Sequence, residues 1–238
     1  MKRYGLVGHP LGHSFSKAYF TEKFEKDHLD CCYQNFDLQD IATLSNLLEQ
    51  HPDLCGFNVT VPYKEAIIPY LDKLDPIAAE VGAVNTVKIL SDRQLKGFNT
   101  DVIGVEEFRI SHSALILGSG GASKAVQYAL KKNDIFFHLV SRDATRGDYT
   151  YSSLTTDVVR DHLVIINATP VGMFPKVDVA PLIPYDALTS NHILIDLIYN
   201  PEETLFLRKG RERGAVTFNG LKMLYAQAEA AWAIWNQE

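Results

Sequence analysis

Residues 58–64 read Asn-Val-Thr-Val-Pro-Tyr-Lys, and they place chemistry-bearing side chains at short, regular spacing. Alternation puts Asn58 and Thr60 on one face of a strand end. Pro62 fixes the backbone and removes a donor, which suits the first position of a helix. Lys64 then falls in the first helical turn, where the backbone dipole favours negative charge. A cation placed against that preference calls for an acidic partner or an anionic substrate.

A second constellation lies further on. Gly118-Ser-Gly120-Gly121-Ala122 follows an apolar run and opens a helical pattern. Glycines there allow a tight turn and close approach of a pyrophosphate to the helix N-terminus. A tight strand–helix turn without a ligand competes with this reading. Lys124 lacks the flanking residues of a P-loop. The next apolar run ends at Ser141-Arg142-Asp143, with Arg146 beyond it. An acidic residue at this strand end suits the ribose hydroxyls of NAD, and an arginine suits the 2′-phosphate of NADP. Arg142 and Arg146 favour NADP, and Asp143 pulls toward NAD.

The elements that position these residues alternate from end to end, the pattern of an α/β fold. Strand-like runs are 4–7, 33–38 and 54–59, and 85–90 with 94–98 reads as a hairpin. Helical patterns cover 14–28, 41–50 and 76–81, and a short helix carries Lys64. The rhythm then restarts: 114–117, 135–140, 163–166 and 193–197 are apolar runs of the buried parallel type. A helix follows the glycine turn to Asn133, and 221–235 is amphipathic with Leu224, Ala228, Trp232 and Trp235 on one stripe. The expected division is residues 1–101, completed by 219–238, and a dinucleotide-binding domain over 102–218.

Bulk properties narrow the classes. The 238 residues, 46% hydrophobic, suffice for two modest domains with real cores. The net charge of −6 argues against nonspecific binding to nucleic acid or an anionic membrane. Cys31, Cys32 and Cys55 make a poor disulfide framework, which implies a reducing compartment. No cysteine–histidine cluster has zinc spacing, and His9 and His13 flank a Pro-Leu-Gly turn rather than share a helix face, so no metal is expected. The first residues lack an apolar signal core and no run of eighteen apolar residues occurs, so a cytoplasmic protein is expected.

Together these segments resemble the shikimate dehydrogenase family, from the first strand to the last helix. Gly8-His-Pro-Leu-Gly-His-Ser14-Phe-Ser16 is similar to its glycine–proline turn and His-Ser-x-Ser signature. Asn58–Lys64, Gly82-Ala-Val-Asn85-Thr86 and Gly97-Phe-Asn-Thr-Asp101 match three more. Asn167-Ala-Thr-Pro-Val-Gly-Met173, Asp196-Leu-Ile-Tyr199-Asn-Pro201 and Asn219-Gly220 through Gln227 match in the second half.

The resemblance implies a substrate domain, a Rossmann-type NADP domain, and a last helix returning to the first. It implies reversible reduction of 3-dehydroshikimate to shikimate, in aromatic amino acid biosynthesis. Lys64 and Asp101 would be the catalytic pair. Ser14 and Ser16 would bind the substrate carboxylate; Thr60, Asn85, Asp101 and Gln227 its ring hydroxyls; Tyr199 would also reach the substrate. Gly118, Ser119, Gly120, Gly121, Ala122, Ser141, Arg142, Arg146 and Gly220 would hold the dinucleotide, with Thr169 and Met173 on its nicotinamide side. The chemistry is consistent: hydride arriving at a carbonyl carbon leaves charge on oxygen, and lysine supplies both charge and proton. A carboxylate nearby can hold the lysine and share its proton traffic.

Taken singly, the same residues have plainer roles. Ser14 and Ser16 suit a helix cap, Asn85 and Asp101 a turn or cap, Thr60 a strand surface, Gln227 a solvated helix face and Met173 a core. Tyr225 and the tryptophans of the last helix read as packing residues. The chain departs from the family at Lys17, Phe20 and Thr21, which bears on substrate preference, and at Ser141-Arg142-Asp143, which bears on the cofactor. The stretch from Asp101 to Ala114 is short, implying a trimmed hinge. Two other functions compete: a quinate/shikimate dehydrogenase using NAD, and a noncatalytic nucleotide-binding regulator. A monomer or a homodimer fits equally.

Overall fold

The computed structural model describes every residue except His13, Ser14 and Glu238. The chain forms two compact units, Met1–Thr100 together with the chain from Ala228 onward, and Asp101–Gln227.

The first unit runs β1 (Lys2–Gly8), α1 (Phe15–Lys26), β2 (Cys31–Asp37), α2 (Leu44–Gln50), β3 (Leu54–Val59), α3 (Tyr63–Ala66), β4 (Lys73–Leu74), α4 (Pro76–Val81), β5 (Thr86–Ile89) and β6 (Leu95–Phe98). Its sheet has the order β2-β1-β3-β5-β6-β4. β1 lies parallel to β2 and β3, and the β5–β6 hairpin joins antiparallel through β3. The expected helix over 41–50 opens with a tighter turn at Ile41–Thr43, where Asp40 caps through Ala42 N, before α2 proper. The expected helix over 76–81 is α4 residue for residue. Asp75 accepts from Ile77 N, Pro76 takes the first turn where its missing donor costs nothing, and Gly82 ends the helix at φ 67°.

Both faces of this sheet are covered. Val7, Phe36, Phe57, Val59, Val84 and Val87 pack with α2 and α3 residues in one core. Tyr4, Leu6, Phe20, Phe24 and Tyr33 form the other with Ala228, Ala231 and Trp235 of the last helix. The Trp235 ring stacks on Tyr4 at 4.8 Å between centroids, and its Nε1 donates to Val87 O at 2.9 Å. Buried indole N–H groups need such an acceptor.

The second unit contains α5 (Asp101–Glu106), β7 (Ala114–Leu117), α6 (Gly121–Lys132), β8 (Phe137–Ser141), β9 (Tyr149–Thr150), α7 (Thr156–Asp161), β10 (Val164–Asn167), β11 (Ile193–Asp196), α8 (Leu205–Glu212), β12 (Val216–Phe218) and the start of α9 (Leu221–Asn236). Its sheet, β9-β8-β7-β10-β11-β12, is parallel throughout. Ala114–Leu117 and Val164–Asn167 are buried at every position, as strands covered by helices on both faces must be. Chain order reverses between β7 and β10, so their carboxyl ends open a crevice where open α/β sheets take ligands.

Candidate active site

β3 ends at Val59, so Asn58 and Thr60 do not share its last face as the alternation predicts. Asn58 is buried in the strand, and Thr60 lies past its end, with its N–H on Val7 O at 2.9 Å. Pro62 stands one place earlier than predicted, as the capping residue of α3 at φ −95°, and Lys64 is the second residue of that four-residue helix. The lysine is half-buried. Its carbonyl accepts from Val84 N at 2.7 Å, and the neighbouring Tyr63 hydroxyl donates to Leu38 O at 2.6 Å. Main-chain and side-chain bonds therefore fix the helix that carries the cation, although four residues are too few for a stable helix on their own.

Asn85 is a buried hub. Its Oδ1 accepts from Thr100 N at 2.7 Å, its Nδ2 donates to Thr100 Oγ1 at 3.0 Å, and its carbonyl accepts from Val59 N at 2.8 Å. Asn58 adds bonds from Nδ2 to Asn85 O and Thr86 Oγ1, and accepts from the Tyr33 hydroxyl at 2.8 Å. Ser16, half-buried in α1, hydrogen-bonds the Tyr33 phenol. Burial pushes that phenol well up, and the Ser16 bond pulls it partly back. One network thus links Ser16, Tyr33, Asn58, Asn85 and Thr86 with the end of β3. Ser14 lies outside the described residues. Tyr33 carries no sequence signal of a role, and Thr100 shows only as part of the Gly97–Asp101 segment, because their partners are distant along the chain.

Asp101 is only 4% exposed, and it is the first residue inside α5 rather than a cap before it. Gln227 is half-buried and its Nε2 donates to Leu224 O at 2.9 Å. Tyr225 is 44% exposed, which corrects its reading as a packing residue, and Met173, 45% exposed, is likewise outside any core.

In the second unit the glycine turn sits at the carboxyl end of β7. Gly118 adopts φ +105°, and a Cβ there would lie 2.8 Å from Thr169 Cγ2. Gly120 caps α6, and a Cβ on it would meet open space. Gly120 therefore leaves the N-terminus of α6 uncrowded, the end at which helix amides favour an anion. Ser119 Oγ and Ser141 Oγ lie 3.1 Å apart, and Arg146 Nη2 donates to Ser119 O at 2.8 Å. The Arg146 guanidinium is thereby held at the turn, while Arg142 is exposed beside it. The Asp143 carboxylate accepts from both Thr145 N and Thr145 Oγ1, and these bonds hold it below the usual carboxylate range. Gly220 is required by crowding: a Cβ there would come within 2.1 Å of Leu197 O.

Next to this turn, Asn167 organises the 167–173 loop. Its Oδ1 accepts from Thr169 N and Oγ1, and its Nδ2 donates to Val171 O and Asp196 Oδ1. Asp196 is fully buried and also accepts from Ile198 N and Thr204 Oγ1. Burial raises its carboxyl to about 6 against the pull of these three donors. Asn167 and Asp196 stand within segments legible in the sequence, but their hub role depends on β10 and β11 lying side by side. Tyr199, half-buried, follows three residues after Asp196. Among the described residues, no group of three or more His, Cys, Asp or Glu could hold a metal ion, and no helix is long and apolar enough to cross a membrane.

A six-stranded parallel sheet in this order, with a glycine turn at its first strand, defines a Rossmann-type dinucleotide-binding unit. Residues 6–87 match the shikimate dehydrogenase substrate binding domain. Shikimate dehydrogenase (NADP(+)) of Methanococcus maripaludis is 36% identical over 260 residues, covering 98% of this chain and 91% of that protein. The crystal structure of shikimate dehydrogenase from Aquifex aeolicus superposes with a TM-score of 0.87 at 35% identity, over 99% of this chain and 92% of the other. That of Thermus thermophilus, in complex with NADP(H) and shikimate, gives 0.87 at 31% identity, over 99% and 94%. The chain belongs to the shikimate dehydrogenase family.

Proposed function

We propose that this protein is an NADP-dependent shikimate dehydrogenase, an oxidoreductase that reversibly reduces 3-dehydroshikimate to shikimate in the chorismate branch of aromatic amino acid biosynthesis. The observation that carries the reading is Lys64, half-buried and fixed at the end of β3, in a chain alike end to end with NADP-dependent shikimate dehydrogenases. The first unit takes the substrate and the second the dinucleotide.

NADPH, when bound, supplies the hydride to the ring carbonyl. Lys64 stabilises the charge that develops on oxygen and delivers the proton there; in the reverse direction it receives that proton. Asp101 is its partner in the proton traffic. Ser14 and Ser16 take the substrate carboxylate through hydroxyl donors, and Thr60, Asn85, Tyr199 and Gln227 orient the ring. The residues of the second unit fit NADP: the cradle at Gly118–Ala122 suits a pyrophosphate, and Ser141, Arg142 and Arg146 suit a 2′-phosphate. Asp143 holds its own turn through Oδ1, which accepts from Thr145 N and Oγ1. Thr169 and Met173 line the nicotinamide side, and Gly220 completes the dinucleotide site. The free thiols of Cys31, Cys32 and Cys55 suit a reducing cytoplasm.

The test is the absorbance of reduced nicotinamide with shikimate as substrate, run with NADP and with NAD. Turnover with shikimate and a preference for NADP is expected. A strong preference for quinate and NAD would replace this reading with a quinate dehydrogenase; NADPH binding without oxidation by 3-dehydroshikimate would leave a nucleotide-binding regulator. Lys64→Ala is expected to cut kcat by about 10²–10⁴-fold, the usual worth of a positioned proton donor, with unchanged circular dichroism. Near-normal turnover would reject the mechanism.

A further inference from the structure

The described turn between β1 and α1, which leads to Ser14 and Ser16, is gripped by one side chain that the chemistry above does not use. We propose that Asp37 is a positioning residue for this turn and so for binding of the substrate carboxylate, an inference that rests on the function proposed above.

Asp37 is the last residue of β2 and stands opposite Gly8, the last residue of β1, in the parallel register. Its Oδ1 accepts from His9 Nδ1 at 2.6 Å, and its Oδ2 accepts from Leu11 N at 3.0 Å. One carboxylate thus spans the turn, holding the side chain before Pro10 and the main chain after it. The far side of the turn is tied to the lysine segment, since His9 N donates to Val61 O at 3.1 Å. The corner after Asp37 repeats the pattern: Leu38 N donates to Gly8 O, and Leu38 O accepts from the Tyr63 hydroxyl beside Lys64. Two adjacent residues at the end of β2 therefore grip both the turn after β1 and the helix of the proton donor.

A surface ion pair is the plain alternative. His9 and Asp37 are about two-fifths exposed, and exposed pairs contribute little stability. Two features separate Asp37 from such a pair. Its second bond goes to a backbone amide, which no charge pairing requires. It also places negative charge near the turn proposed to take an anion, an arrangement that long-range attraction does not favour. What the carboxylate supplies is geometry, because both oxygens are committed to groups two residues apart. The bonds from His9 and Leu11 hold its carboxyl below the usual range, so it stays ionised and accepting at neutral pH.

The consequence is a KM effect without a kcat effect. Steady-state kinetics with shikimate and NADP should show Asp37→Ala raising the KM for shikimate about tenfold, equivalent to ~1.4 kcal/mol, with kcat within twofold and the KM for NADP unchanged. His9→Asn keeps a donor where Nδ1 stands and should remain close to wild type, whereas His9→Ala should raise the same KM. A KM for shikimate within twofold of wild type in Asp37→Ala overturns the proposal, as does a loss shared equally with kcat or with NADP. A wild-type protein inactive on shikimate would instead sink the functional reading. The positioning role would then be read from hydrogen exchange at the Leu11 amide, where Asp37→Ala should exchange about tenfold faster and an unchanged rate overturns it.

Discussion

Asp196 sits where two demands oppose each other. Its burial disfavours charge, and three donors favour it. Desolvation wins, so the folded carboxyl titrates near 6, above the ordinary 3.8. The sign for stability follows. Below about pH 4 the group is protonated whether the chain is folded or not, and nothing is lost. Between about 4 and 6 the unfolded chain binds fewer protons than the folded one, so stability falls as pH rises. Above 6 the full penalty is present, about 3 kcal/mol from a shift near 2 units. Asp196→Asn should therefore flatten the stability profile between pH 4 and 6, measured by urea denaturation at each pH. An unchanged slope in the variant would assign that dependence to other groups. Lys64 shows how far single residues are legible: its oddity at a helix start is visible in sequence, but not the carbonyl bond to Val84 that steadies its helix. Asn85 was legible as a turn residue, yet its bonds with Thr100 join segments fifteen positions apart.

Among the elements, those with strong local punctuation were readable. β3 and β7 are apolar runs of strand length, and α4 carries a cap, a proline and a terminal glycine. β4 and β9 have two residues each and β12 three, too short for any period to show. α7 and α8 are not among the expected helices, although Thr155 and Thr204 cap them through their side chains. α9 reads as amphipathic, and of its stripe Ala228 and Trp235 are buried and Trp232 packs beside them, while Leu224 is not part of that core. Ala228, Ala231 and Trp235 join the aromatic core of Tyr4, Phe20, Phe24 and Tyr33. Truncating Trp235 removes a stacked ring and the Nε1 bond to Val87 O. Trp235→Ala should cost about 3–5 kcal/mol, the range for large aromatic deletions, read as a lower denaturation midpoint. A loss under 1 kcal/mol would show that the core closes over the gap.

At the scale of the molecule, the order of the second sheet did not follow from its strands. Apolar runs identify parallel strands but not their neighbours, and only the reversal between β7 and β10 opens the crevice beside the glycine turn. The first sheet was harder still, since an antiparallel hairpin is joined to parallel strands through β3. Turnover of shikimate with NADP, the assay that decides the proposed function, belongs to this scale, because it needs both units in one chain.

The first unit is closed by residues from the end of the chain, with Trp235 lying against Tyr4 and Phe20. Synthesis runs from Tyr4 to Trp235, so every nascent chain passes through a stage in which Tyr4, Phe20, Phe24 and Tyr33 have emerged and their cover has not. The second unit, continuous from Asp101 to Gln227, is complete before that cover is made. Until that cover arrives, the aromatic surface of the first unit stands open to aggregation or to a chaperone.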